Sequence, residues 1–189
     1  MSIELLEIAV SGYVDALGEV TDAQWSTPTV CDGWDVRGLT HHMVSGALMS
    51  EAVLHGASRD DAVALMSSFQ LGTDPKAEVA TSAAAHIAAF RAVGALDTVL
   101  HHPAADMPAA QLLMFRIGDY LLHTWDLNTS LGKPVVLHPD CVAFVWESLQ
   151  PMAAFIGQIG VFGEGPSGTV AEDAPLQDRL VDLTGRRLK

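Results

Sequence analysis

Asp119 and His123 stand four residues apart within Met107 to Leu131, MPAAQLLMFRIGDYLLHTWDLNTSL. If that stretch is helical, both side chains leave one face a turn apart. A carboxylate and a neutral imidazole placed in this way can grip one divalent metal ion. Arg116 and Asp126 fall on the same side. At about 100° per residue, Arg116, Asp119, His123 and Asp126 span roughly 80°, alongside Leu112 and Phe115. The rest of the helix is largely apolar, a setting in which ionisable groups need a partner or a ligand. An Arg116–Asp119 pair, with Asp126 capping a neighbour, would account for the row without any metal. Arg116 and Asp126 could equally orient metal ligands from behind or meet a substrate.

A third ligand has to come from another element. Asp35 is a good N-cap for a helix running to about Leu54. On its wheel His42 shares a line with Leu39, Gly46, Met49 and Val53, whereas His41 points about 100° away. His42 is therefore the histidine that can face an interior site, and the candidate ligand set is His42, Asp119 and His123. Two imidazoles and one carboxylate leave coordination positions open for water or substrate. The remaining histidines read as structural. His55 lies near a helix end, His86 reads as a partly exposed helical residue, and His101, His102 and His138 lie beside prolines in loops. Cys31, just ahead of Trp34, reads as a packing residue. No GxSxG, P-loop or GxGxxG motif occurs, so no nucleophile or phosphate cradle is indicated and the catalytic residues stay unassigned.

The elements that must position these groups follow from periodicity and turn signals. Residues 2 to 18 fit an amphipathic helix through Ile3, Leu6, Val10, Tyr13, Val14 and Leu17. Val20 to Gly33 is a turn-rich connection, with Trp25 and Trp34 expected to pin it to the core. After the second helix, Gly56 to Pro75 reads as a loop with a turn or short helix. A third helix spans roughly Lys76 to Leu96, and Asp97 to Asp106 is a connector, with Val99 and Leu100 briefly extended. The long helix over 107–131 stops at Gly132 and Pro134. A fifth helix covers about Pro139 to Ile156, with Pro151 kinking it or ending it early. The stretch from Gly157 to Pro175 is a loop, and a last helix runs from Leu176 to Leu183. The expected fold is an all-α, antiparallel four-helix bundle with extra short helices, forming a single domain over 1–189.

Composition sets the bounds. The 189 residues are 49% hydrophobic and 17% charged, with a formal net charge of −13. That charge argues against binding nucleic acid or an anionic membrane surface, and no apolar run reaches the roughly 18 residues of a membrane span. The N-terminal MSIELLEIAV is acidic and is not a signal peptide, so cytoplasm is the expected location. Two cysteines allow at most one disulfide and no CxxC metal site. An apolar helical chain with few charges is compatible with a homodimer.

Three segments carry a family likeness: CDGWDVRGLTHHMVSG (Cys31 to Gly46), RIGDYLLHTWDLNTSLGKP (Arg116 to Pro134) and APLQDRLVDLTGR (Ala174 to Arg186). Together they resemble the DinB superfamily (DinB/YfiT-like), in particular the actinobacterial metal-binding group related to mycothiol-dependent maleylpyruvate isomerase. The resemblance implies a four-helix bundle with a divalent metal near one end. It places the ligands on His42, Asp119 and His123, with Asp119 where the isomerase branch has a longer Glu. Zinc is the first expectation, with nickel, iron or manganese as other candidates. It also implies small-molecule chemistry using mycothiol or a similar low-molecular-weight thiol, as an S-transferase or a metal-assisted hydrolase. The isomerase branch has an additional C-terminal domain that contributes to its activity. With the sequence ending at Lys189, maleylpyruvate isomerisation itself is not expected. A non-catalytic metal-binding or stress-response protein, or a structural bundle with a buried ion-pair network, would share the same residues.

Overall fold

A computed structural model describes residues 3–92, 94–158 and 162–188. Ser2 of the expected first helix, Val93 of the third and residues 159–161 of the late loop lie outside the described residues. The chain forms two compact units, 1–135 and 136–189.

In the first unit, α1 (Ile3–Gly18) buries Leu6, Val10, Tyr13 and Leu17 along one stripe. The spacing is the three-to-four-residue period of a helix with one buried face. A connection follows, with a short 3-10 turn, Asp22–Gln24, in which the backbone N–H of Thr21 donates to the Gln24 side chain at 3.0 Å. Helix α2 (Val36–Leu54) starts where expected. The Asp35 carboxylate accepts the Gly38 N–H at 2.7 Å, satisfying one of the orphan donors of the first turn. The segment after it contains a true short helix, α3 (Arg59–Ser68), capped by Ser58, with only Ala62 buried. Helix α4 (Pro75–Arg91) is capped by Asp74, with Pro75 in its first turn, where a missing N–H costs nothing.

Helix α4 ends at Arg91 rather than Leu96, because Ala92 is already out of helical conformation at ψ 140° and Gly94 has φ +79°. The connector then forms a two-stranded antiparallel hairpin, β1 (Val99–His101) and β2 (Asp106–Pro108), with Leu100 opposite Met107. Both of these side chains are buried. The strand takes up Met107 and Pro108, so α5 spans Ala109–Ser130 and starts two positions later than the sequence alone suggests.

Helices α1 and α2 each pack against both α4 and α5, closing a four-helix bundle. Its interior holds Tyr13, Leu39, Met43, Phe90, Leu113, Ile117 and Tyr120, each nearly or fully inaccessible. The fold is therefore mostly helical, with the hairpin as its only sheet among the described residues.

In the second unit α6 (Pro139–Leu149) ends just ahead of Pro151, and the chain continues as a 3-10 segment over Gln150–Gln158. Helix α7 (Leu176–Leu183) packs on α6 and buries Leu180, Val181 and Leu183. The Arg179 guanidinium lies 4.7 Å from the centre of the Trp146 ring. Among the described residues no helix is long and apolar enough to cross a membrane.

Candidate metal centre

The polar row of α5 is buried as a row. Arg116, His123 and Asp126 are all buried, and Asp119 is partly exposed. The Arg116 guanidinium donates to Asp119 Oδ2 through Nη1 and to the Met43 carbonyl of α2 at 3.4 Å, with its Cζ 5.1 Å from the centre of the Tyr120 ring. The other Asp119 oxygen, Oδ1, lies 3.1 Å from His123 Nε2 and 3.4 Å from His42 Nε2. The inward line of α2 thus delivers His42 to the α5 pair, while His41 turns away and bonds the Phe69 carbonyl at 3.0 Å. The structure brings together the three residues picked out in the sequence, with their ligand atoms within 4.8 Å of one another.

The donor set fits a divalent ion. Ligands at about 2.0–2.2 Å from one centre sit about 3 to 3.5 Å apart, the range seen between Asp119 Oδ1 and the two imidazoles. Asp119 Oδ1 alone reaches both. His42 and Asp119 keep side-chain exposures of 32% and 22%, so small molecules can reach this side.

His123 is held from both ends. Its Nδ1 donates to Asp126 Oδ2 at 2.8 Å, and Asp126 is fully buried. Burial alone would push this imidazole toward its neutral form. Hydrogen bonds to Asp119, Asp126 and Cys31 override that and hold its pKa well above the usual histidine value. Burial would likewise raise the Asp119 carboxyl, but Arg116, His42 and the hydrogen bonds from both imidazoles hold it well below the ordinary carboxylate range. Without a metal, the row is a chain of alternating charges.

Two residues read from sequence as packing belong to this centre instead. Trp34 does not pin its loop to the core. It is 37% exposed, and its ring centre lies 4.8 Å from that of His42 and 6.2 Å from that of His123. Cys31 is not plain packing either. Its Sγ lies 3.3 Å from Asp126 Oδ2 and 3.9 Å from His123 Nδ1, giving a second convergent trio with His123 and Asp126. Both cysteines are free thiols, so the disulfide that composition allows is not formed.

The 29–34 turn explains how this loop reaches the site. The Thr29 N–H donates to the Trp34 carbonyl at 2.8 Å and the Trp34 N–H to the Cys31 carbonyl at 3.1 Å. Gly33 sits at φ +80°, a conformation disfavoured for residues with a Cβ. The Val30 N–H, donating to Ser130 Oγ at 2.9 Å, ties the turn to the end of α5. The Asp32-Gly33 turn signal next to a Trp and a Cys was the legible clue.

One histidine departs from its expected place. His86 is not partly exposed but fully buried, against Phe90 and Tyr120 at ring-centre distances of 5.0 and 6.3 Å. It packs in the bundle core rather than among the candidate ligands.

A family model described as the mycothiol maleylpyruvate isomerase N-terminal domain matches residues 6–128, which include all three candidate ligands. No curated protein sequence matches the chain. Among solved structures, a crystal structure of the mycothiol-dependent maleylpyruvate isomerase is similar at 20% identity and TM-score 0.62, covering 82% of this chain and 67% of that one. A histidine-to-alanine variant of that enzyme is similar at 19% identity with the same score and coverage. At that identity the structural likeness speaks for the fold, and the family model speaks for descent. The chain belongs to the mycothiol maleylpyruvate isomerase N-terminal domain family.

Proposed function

We propose that this bundle binds one divalent metal ion, zinc first among the candidates, through His42 Nε2, Asp119 Oδ1 and His123 Nε2. We propose further that it uses this centre to activate a low-molecular-weight thiol, mycothiol or a close analogue, for transfer to a small electrophile. The observation that carries the reading is the convergence of two imidazoles and one carboxylate oxygen at the accessible end of an otherwise buried polar row. When bound, such an ion lowers the pKa of a coordinated thiol or water, supplying a nucleophile at neutral pH.

The chain's own residues supply the rest. Asp126 holds the Nδ1 proton of His123, fixing the tautomer that leaves Nε2 available to a metal. Trp34 covers the His42 imidazole and narrows the access of water on that side. Membership of a family named for a mycothiol-dependent enzyme supports the choice of thiol. The Cys31, His123 and Asp126 trio is the weaker metal site, because its shortest contact is already a good hydrogen bond between His123 and a fully buried carboxylate.

A second reading has its own observation. The run Arg116–Asp119–His123–Asp126 is already a closed ion-pair network. Elemental analysis of protein purified without added metal separates the two. One equivalent of metal in the parent, lost in His42→Ala and in His123→Ala, is the expected result. Substoichiometric metal in the parent, or unchanged metal in both variants, overturns the metal centre in favour of the ion-pair network. Turnover of mycothiol with an electrophile panel by the metal-loaded parent then tests the thiol. Full metal occupancy without turnover would leave a non-catalytic metal-binding protein.

A further inference from the structure

Gly46 lies in the middle of α2, where glycine weakens a helix relative to alanine. A Cβ built on Gly46 would meet the Arg116 guanidinium at 2.5 Å from Nη1, 3.2 Å from Cζ and 3.4 Å from Nη2. The guanidinium therefore fills the space that a side chain at position 46 would need. It is enclosed by the α2 backbone at Gly46, the Met43 carbonyl, the Tyr120 ring and Asp119 Oδ2, with Nε buried and unpartnered among the described residues. Its side chain is 5% exposed, too enclosed to greet a substrate carboxylate.

We infer that Arg116 is a fixed positioning residue, seated in the notch that Gly46 leaves. There it holds Asp119 Oδ2 permanently and leaves Oδ1 alone to face His42 and His123. The inference rests on the metal reading only for its consequence, that Asp119 binds an ion through one oxygen. The seating of Arg116 stands apart from it. With one carboxylate oxygen committed to an internal cation, the centre keeps an open position instead of closing it with a second oxygen. The pairing also cancels the Asp119 charge locally, so a bound divalent ion would keep a net attraction for an anionic ligand such as a thiolate.

The test uses the full chain and two kinds of readout. In metal-free protein, NMR of the arginine side chains should show Arg116 Nη protons as resolved, slowly exchanging signals. Gly46→Ala should collapse them to the averaged signal of a free guanidinium. In cobalt-loaded protein, Arg116→Met should release Oδ2, raise the coordination number and lower the visible absorption coefficient at least twofold. Gly46→Ala should weaken cobalt affinity about tenfold or more. If Gly46→Ala fails to fold, Gly46→Ala/Arg116→Met should fold, because the clash has been removed. Resolved Arg116 signals in Gly46→Ala, or an unfolded double variant, would overturn the seating. An Arg116→Met cobalt spectrum identical to the parent's would overturn one-oxygen coordination. A parent that binds no cobalt fails the metal reading and overturns the coordination consequence with it, while the NMR result still decides the seating.

Discussion

Two histidines of the same bundle are buried to nearly the same degree, and their surroundings push their pKa values in opposite directions. His86 is fully inaccessible and His123 is 8% exposed. Both ring nitrogens of His86 lack a hydrogen-bond partner among the described residues, and its neighbours are aromatic rings. Burial, reinforced by the positive charge of Arg116, holds its pKa well below the usual value, so it is neutral. His123 meets the same desolvation, but carboxylates sit on both of its nitrogens and it stays charged in the absence of metal. Depth alone therefore does not set the charge of a buried imidazole; the partners within hydrogen-bond reach decide it.

The largest expected effect comes from breaking the charged member. His123→Leu removes the cation shared by Asp119 and Asp126, leaving like charges near one another in a low-dielectric setting. Metal-free protein should lose on the order of 3 kcal/mol of stability at pH 7, read as a fall in the urea midpoint at constant slope. The pH dependence follows from the raised folded pKa. The contribution is fully present below the unfolded value of about 6.5 and is lost as pH rises through the folded pKa. Stability of the parent should therefore decline as pH rises from the unfolded value towards the folded one and level off beyond it, and His123→Leu should flatten this alkaline limb. A variant as stable as the parent, with an unchanged limb, would show that His123 is not the charged link.

His86→Leu sharpens the comparison from the other side, with a smaller effect of opposite sign. Replacing a buried polar ring that lacks partners by an apolar side chain should stabilise the protein by about 1 kcal/mol at pH 7. The folded pKa of His86 is depressed, so below about 6.5 the unfolded chain takes up a proton that the native state refuses. Stability falls as pH drops through that window, by up to about 1.4 kcal/mol per unit. Urea midpoints at pH 5.5 and 7.5 should differ less in His86→Leu than in the parent. An equal difference would mean that some other group carries the acid limb.

What the sequence made legible divides along the same line. Helical period, the Asp35 cap and the i, i+4 spacing were enough to turn His42 inward on one helix and to pair Asp119 with His123 on another, because each is a local property of its own helix; that the two helices meet at this point was implied only by the family resemblance. The placement of His86 was not legible. Helix α4 is so rich in alanine that its polar and apolar faces barely differ, and nothing in the chain marks which side meets Tyr120. The hairpin at 99–108 was half visible, since extended backbone at Val99 and Leu100 was expected but its pairing partner was not. Trp34 and Cys31 were misassigned for a related reason. A buried-type residue in a loop reads as an anchor, and only the folded 29–34 turn shows that it faces a polar row rather than the core.

The smallest effect tests how far that row extends. Cys31 lies within 3.3 Å of Asp126 and 3.9 Å of His123, at the far side of the imidazole from Asp119. A thiol is a weak donor, and Asp126 already accepts the shorter bond from His123 Nδ1. Cys31→Ala should therefore cost less than about 1 kcal/mol in urea denaturation and leave metal stoichiometry unchanged. Cys31→Ser, which keeps a donor toward Asp126, should lie between Ala and the parent. If Cys31→Ala instead abolished metal binding, the ion would sit on the Nδ1 side of His123, with the thiol as ligand, and the contrast between the two ends of that ring would have to be redrawn. Equal metal content in parent and variant, beside its loss in His42→Ala, would fix the ion on the Nε2 side, facing Asp119 and His42.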